Sequence, residues 1–246
     1  MKVGFIILIM MMLNLYSYSQ YSEKKFQESV EEFEKGNFSK ADSLITIAIN
    51  YERSTHKDYL KYYNRGIYRM SVDSITLAIM DFDTSIFLKS DFYPAYENKA
   101  ICHYIWGDKN FANKSIDLGL KTSPKELEGY VLSCIINIGL GNYQKSITAC
   151  SKALTIKKDP RLYAYRAISN IYLKKFEVAL EDIDNGESIF GSGNQYLLEA
   201  RIFYLYKKSN KEFCELMKVH YKLYEQIGSL DFNDPEFTKK YNECSH

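Results

Sequence analysis

What most constrains this sequence is a pattern of small and aromatic residues that returns about every 34 positions. It is clearest from Tyr59 to Asp91, in YLKYYNRGIYRMSVDSITLAIMDFDTSIFLKSD. Tyr62, Arg65, Gly66 and Arg69 fall at helical spacing in the first half, and Ala78, Phe82, Ser85 and Ile86 in the second. The stretch reads as two short amphipathic helices joined by a turn. Gly66 and Ala78 let the two backbones approach closely, and Tyr62 and Phe82 fill the space on either side. A helix pair this short cannot bury its apolar face alone, so it must stack on neighbours of its own kind.

Those neighbours are present. Tyr96, Ala100, Ala112, Ile116 and Gly119 take the same slots in the next unit. Tyr130, Cys134, Tyr143, Ser146, Cys150 and Ala153 follow in the one after, then Tyr163, Arg166, Ala167, Phe176, Ala179, Ile183 and Gly186. An earlier copy carries Gly36, Phe38, Ala41, Ile45 and Ala48. The segment after Gly191-Ser192-Gly193 keeps Tyr196, Ala200 and Phe203 in place but puts Phe213 and Cys214 where a small alanine belongs. These units resemble the tetratricopeptide repeat family, over most of the chain. The resemblance implies an all-α, right-handed solenoid with repeats at about 22–55, 59–92, 93–126, 127–159 and 160–193, and a degenerate sixth at 194–227. Asp234-Pro235 is a helix-start signal, and Phe237, Tyr241 and Cys244 then share one face, which predicts a capping helix within 228–246.

The first residues stand outside this pattern. Lys2 is followed by an apolar run from Val3 to Leu15 and then Ser17-Tyr18-Ser19-Gln20, which reads as a signal peptide at 1–19 cut near Ser19. The apolar core is shorter than the ~20 residues a spanning helix needs. Cys102 is the first cysteine, which argues against a lipidated N-terminus. The expectation is a single solenoid domain at 20–246, outside the cytoplasm and without a stable membrane anchor. Leaving out Lys2, the 32 basic side chains become 31 against 31 acidic ones, so the basic excess of a nucleic-acid binder is missing.

The resemblance implies that first helices line a groove. Its positions here are Tyr63, Ile67 and Met70, then Glu97, Ile101 and Tyr104, then Val131, Ile135 and Ile138, then Ala164, Ile168 and Ile171. They are mostly apolar, which suits an extended segment or helix of a partner protein presenting apolar anchors. The alternative is that these side chains touch only one another or the second helices. A clamp for a partner's terminal carboxylate is not expected, because Phe26, Val30, Tyr63 and Ile67 occupy the slots where such a clamp carries polar groups. Two other roles stay open: a structural subunit held by its outer face or C-terminal cap, and an enzyme or small-ligand binder using the interior.

Chemistry is sparse. His56, His103, His220 and His246 are scattered with no second ligand at metal or nucleophile spacing, so neither cofactor nor catalysis is expected. Asp81/Asp83 and Glu181/Asp182/Asp184 lie on second helices, where the resemblance implies solvated charge. Among the five cysteines, Cys214 and Cys244 look like the pair that closes the C-terminal end of some small exported repeat proteins. Their helices should pack together, though a bridge also needs Cα atoms within about 7 Å. Cys134 and Cys150 face each other within one repeat and are expected to pack as buried small residues.

Overall fold

The computed structural model describes residues 2–52, 57–208, 211–216, 239 and 243–244. Every element among them is helical. The helices are α1 (Lys2–Glu34), α2 (Phe38–Asn50), α3 (Tyr59–Met70), α4 (Ile75–Leu88), α5 (Tyr93–Ile105), α6 (Lys109–Thr122), α7 (Leu127–Gly139), α8 (Tyr143–Ile156), α9 (Pro160–Tyr172), α10 (Phe176–Phe190) and α11 (Gln195–Lys208). α1 carries the N-terminal apolar run and the first helix of the first repeat as one helix. No described helix is long and apolar enough to cross a membrane. The expected capping helix and most of the second helix of the sixth repeat lie outside the described residues.

Helix boundaries follow local chemistry. Asp58 and Asp159 cap α3 and α9 by accepting from the backbone N–H of Leu60 and Arg161, each at 2.9 Å, and Pro94 and Pro160 occupy the first turns of α5 and α9. The turn within each pair needs one residue of positive φ. Gly36, Gly107 and Gly141 supply it at 79°, 86° and 73°. Asp73 and Lys174 adopt 56° and 60° at the matching places, carrying a side chain where glycine is easier.

The chain forms two compact units, residues 1–129 and 130–246. In the first, each pair packs internally, α1 on α2, α3 on α4 and α5 on α6, and successive pairs join through α2 on α3 and α4 on α5. Its core runs through Ala41, Ile45 and Tyr68, then Ile75, Ala78, Phe82, Ala95 and Cys102. Phe82 is fully buried over Gly66, where an added Cβ would lie 2.6 Å from the ring. In the second unit α9 packs on α8, α10 and α11, with Leu162, Ala167, Ala179, Ile183, Leu197 and Ala200 fully buried. The small-residue slots read from the sequence are thus the ones that touch.

Candidate binding surfaces

The groove positions divide by burial. In the first unit Tyr63, Ile67 and Met70 are half-buried, packed on the core of Ile75, Ala78 and Phe82. Tyr63 meets Phe92 edge-on at 5.0 Å between ring centroids, and its hydroxyl accepts from Asn98 Nδ2 at 3.2 Å. Ile101 and Tyr104 are also half-buried. Glu97 accepts from the Tyr93 hydroxyl at 3.1 Å, and burial, aided by Glu128 and Glu126, pushes its carboxyl above the ordinary range. In the second unit Ile135 and Ile138 are half-buried, while Val131, Ala164, Ile168 and Ile171 are buried. Those four are withdrawn from solvent, as the alternative of side chains that touch only one another or the second helices expects. α9 is enclosed by α8, α10 and α11, so its inward side chains meet other helices.

A correction concerns the acidic residues. Asp81 and Asp182 are buried, not solvated. Asp81 receives Arg65 Nε at 3.0 Å and Nη2 at 2.7 Å, and Arg69 Nη1 at 2.7 Å. Asp182 receives Arg166 Nη2 at 2.5 Å and Nε at 3.1 Å. Asp83 and Asp184 are exposed and pair across repeats, with Lys99 at 2.5 Å and Arg201 at 2.6 Å. Arg65, Lys99, Arg166 and Arg201 are each the seventh residue of a first helix, α3, α5, α9 and α11. This also re-registers the sixth repeat. Aligning Tyr196 and Ala200 with Tyr163 and Ala167 would place Glu199 opposite Arg166, whereas α11 begins at Gln195 and brings Arg201 there. Glu199 is instead buried, accepts from Gln195 Nε2 at 3.3 Å, and is pushed up to about 7 by burial.

Cysteine and histidine placements follow. Cys214 and Cys244 come together with Cα atoms 5.0 Å apart, in a disulfide. Cys134 and Cys150 are fully buried, as packing residues should be, and also lie at bonding distance with Cα atoms 5.9 Å apart, a pairing the sequence reading did not expect. Cys102 is free and buried, its thiol pushed up to about 12. His103 stacks on Phe111 at 5.4 Å, and burial holds its pKa below the usual value, as a rim histidine.

One surface was missed. On the second helices of the first unit, Leu77, Met80 and Phe87 of α4 and Phe111 and Leu118 of α6 are exposed, Phe87 at 87%. The matching signal was in the sequence, as apolar residues at helical spacing opposite the core-facing slots Ala78, Phe82 and Ser85.

No family model and no curated protein matches the chain. Among solved structures, a tetratricopeptide repeat protein from Parabacteroides merdae is similar at a TM-score of 0.75 and 16% identity, covering 92% of this chain and 93% of its own. MamA from Desulfovibrio magneticus is similar at 0.63 and 16%, covering 71% of this chain and 97% of its own. YrrB, described as a tetratricopeptide repeat protein with an unusual peptide-binding site, is similar at 0.62 and 11%, covering 72% and 90%. At such identities the likeness speaks for the fold, and the fold is that of tetratricopeptide repeats.

Proposed function

We propose that this chain, a tetratricopeptide-repeat fold, is a non-catalytic scaffold outside the cytoplasm that holds another protein by its first helices. The observation carrying this reading is the set of half-buried apolar side chains, Tyr63, Ile67, Met70 and Ile101 in the first unit and Ile135 and Ile138 in the second. Partly exposed apolar groups at helical spacing suit the apolar anchors of a peptide or helix. YrrB, with its peptide-binding site, has a comparable fold. The test compares the chain from Gln20 onward with its Ile101→Asp/Ile135→Asp variant, both checked for native helicity, in crosslinking capture from cell-envelope extract. One envelope protein captured by the first and lost from the folded second is the expected result. Equal capture by both would overturn the groove reading.

The exposed apolar residues of α4, Leu77, Met80 and Phe87, favour a second reading, a structural subunit held by its second helices. Single exposed apolar residues are ordinary on a protein surface, but a cluster rimmed by polar groups is an interaction signal. Capture lost in Met80→Ser/Phe87→Ser and kept in the first-helix variant would select this alternative.

A further inference from the structure

The two Arg–Asp pairs are built alike but completed differently. Arg65 and Arg166 are the seventh residues of α3 and α9, and Asp81 and Asp182 the seventh of α4 and α10. Each arginine also reaches back to a hydroxyl on the ninth residue of the preceding second helix. Arg65 Nη1 donates to Thr46 Oγ1 at 3.4 Å and Arg166 Nη1 to Ser151 Oγ at 3.1 Å. The two sites therefore share a frame, and corresponding positions can be compared one by one.

The difference lies at the eleventh position of the first helix. In α3 it is Arg69, which places Nη1 2.7 Å from Asp81 Oδ2 and Nε 3.0 Å from Asp42 Oδ1. In α9 it is Asn170, whose Nδ2 stands 3.4 Å from Asp182 Oδ2. Asp42 is replaced in α8 by Ile147. The shorter side chain leaves an opening. A cavity of about 370 Å³ is lined by Arg166, Asn170, Asp182, Glu181, Lys175 and Ile147, among others. Its acidic wall is extended by Glu181, which stands where α4 has Met80.

We propose that this cavity receives the guanidinium group of an arginine, free or within a peptide chain, which docks on Asp182 as Arg69 docks on Asp81. The first unit shows that one buried aspartate in this frame accommodates two guanidinium groups at once. A planar guanidinium fits because its forked donors match a carboxylate already engaged from one side. Burial raises the Asp182 carboxyl above its ordinary value even beside Arg166, so a second cation is favoured there. Glu181 forms no ion pair among the described residues and supplies the second acceptor that Asp42 gives Arg69. Lys175, at the start of α10 and exposed, adds a like charge to the cavity lining that opposes an incoming cation.

The test is a calorimetric titration of the full chain with L-arginine, with Nα-acetyl-L-arginine amide, and with L-citrulline, which keeps the shape and loses the charge. The expected result is saturable one-to-one binding of an arginine compound, at least about tenfold tighter than citrulline, a margin worth about 1.4 kcal/mol. Binding of both arginine compounds assigns the site to arginine within peptides as well as free. Binding of free arginine alone assigns it to the amino acid. Asn170→Arg, which installs the side chain that the first unit carries, is expected to abolish binding while the chain stays folded, and Lys175→Gln to tighten it several-fold. Equal binding of citrulline, unchanged binding to folded Asn170→Arg, or no binding of either arginine compound overturns the proposal, whatever happens to capture by the first helices.

Discussion

The two units use the same internal frame and present different exteriors. Both bury an aspartate of the second helix under an arginine of the first, and both reach back to a hydroxyl of the preceding repeat. Yet the first unit closes its pair with Arg69 and exposes Met80 and Phe87, whereas the second leaves a cavity and exposes Glu181 and Ser188 at the same two places, Leu77 and Val178 being exposed alike. The lesson is that core slots and one ion pair hold the repeat, while positions turned away from the core are free to diverge.

The sharpest way to break this comparison is to remove the aspartates. Asp81→Ala leaves Arg65 with only the Thr46 hydroxyl and Arg69 with only Asp42, both guanidinium groups being largely withdrawn from water, and is expected to cost about 3–5 kcal/mol in urea unfolding followed by circular dichroism. Asp182→Ala strands one, with a neighbouring cavity through which water can reach it, and should cost less. If the two cost the same, Arg69 contributes nothing and the sites are equivalent.

Next comes the contact between paired helices. A Cβ at Gly66 meets three atoms of the fully buried Phe82 ring at 2.6 to 2.9 Å, and Gly66→Ala is expected to cost about 1–3 kcal/mol. A Cβ at Gly186 meets a terminal methyl of Leu197 at 2.5 Å, the end of a flexible side chain, so Gly186→Ala should cost less. A reversed order would mean that the second unit is the more tightly packed.

An effect that depends on pH belongs to the second unit, in Glu199. Its carboxyl titrates at about 7 in the fold, above the ~4.3 of an unfolded chain, so the folded state holds the extra proton between those values. Stability contributed there is present below about 4.3 and lost as pH rises to about 7. Glu199→Gln should therefore raise the thermal midpoint at pH 8 relative to the parent chain and leave the two close at pH 4. An unchanged difference across that range would show that Glu199 is not buried as described.

The smallest effect is expected on the first unit's exterior. Phe87→Ser should change stability by less than about 0.5 kcal/mol, because the ring touches little of the core. A larger loss would show that something in the chain covers it.

The helix pairs were legible because small residues have a single use at a crossing point, and Gly66, Ala78, Ala112, Ala153, Ala167 and Ala179 announce it without competition. The ends of α3 and α9 were equally plain, through Asp58 and the Asp159-Pro160 dipeptide. Burial of Asp81 and Asp182 was not, since an isolated acid on a helix looks solvated until its partner is found on another helix. The clue was Arg65 and Arg166 at matching places, which the pattern marked but did not pair. Nor could spacing tell that Ala164, Ile168 and Ile171 would be enclosed, because that depends on how closely α11 lies against α9. The sixth repeat misled through Tyr196 and Ala200, which imitate the expected slots two residues ahead of the helix register.

The seventh-position cations bear on modularity. Lys99 and Arg201 find their counter-charge behind them, on Asp83 and Asp184 of the preceding repeat, while Arg65 and Arg166 find it ahead, on Asp81 and Asp182 of their own, and meet only a hydroxyl behind. These four joints are thus neutralised by a rule that depends on the neighbour. Excising or reordering whole repeats would leave some joints with two carboxylates for one cation and others with none. Repeats that look interchangeable in outline are therefore addressed to one another, and the order of the array is written into where its charges sit.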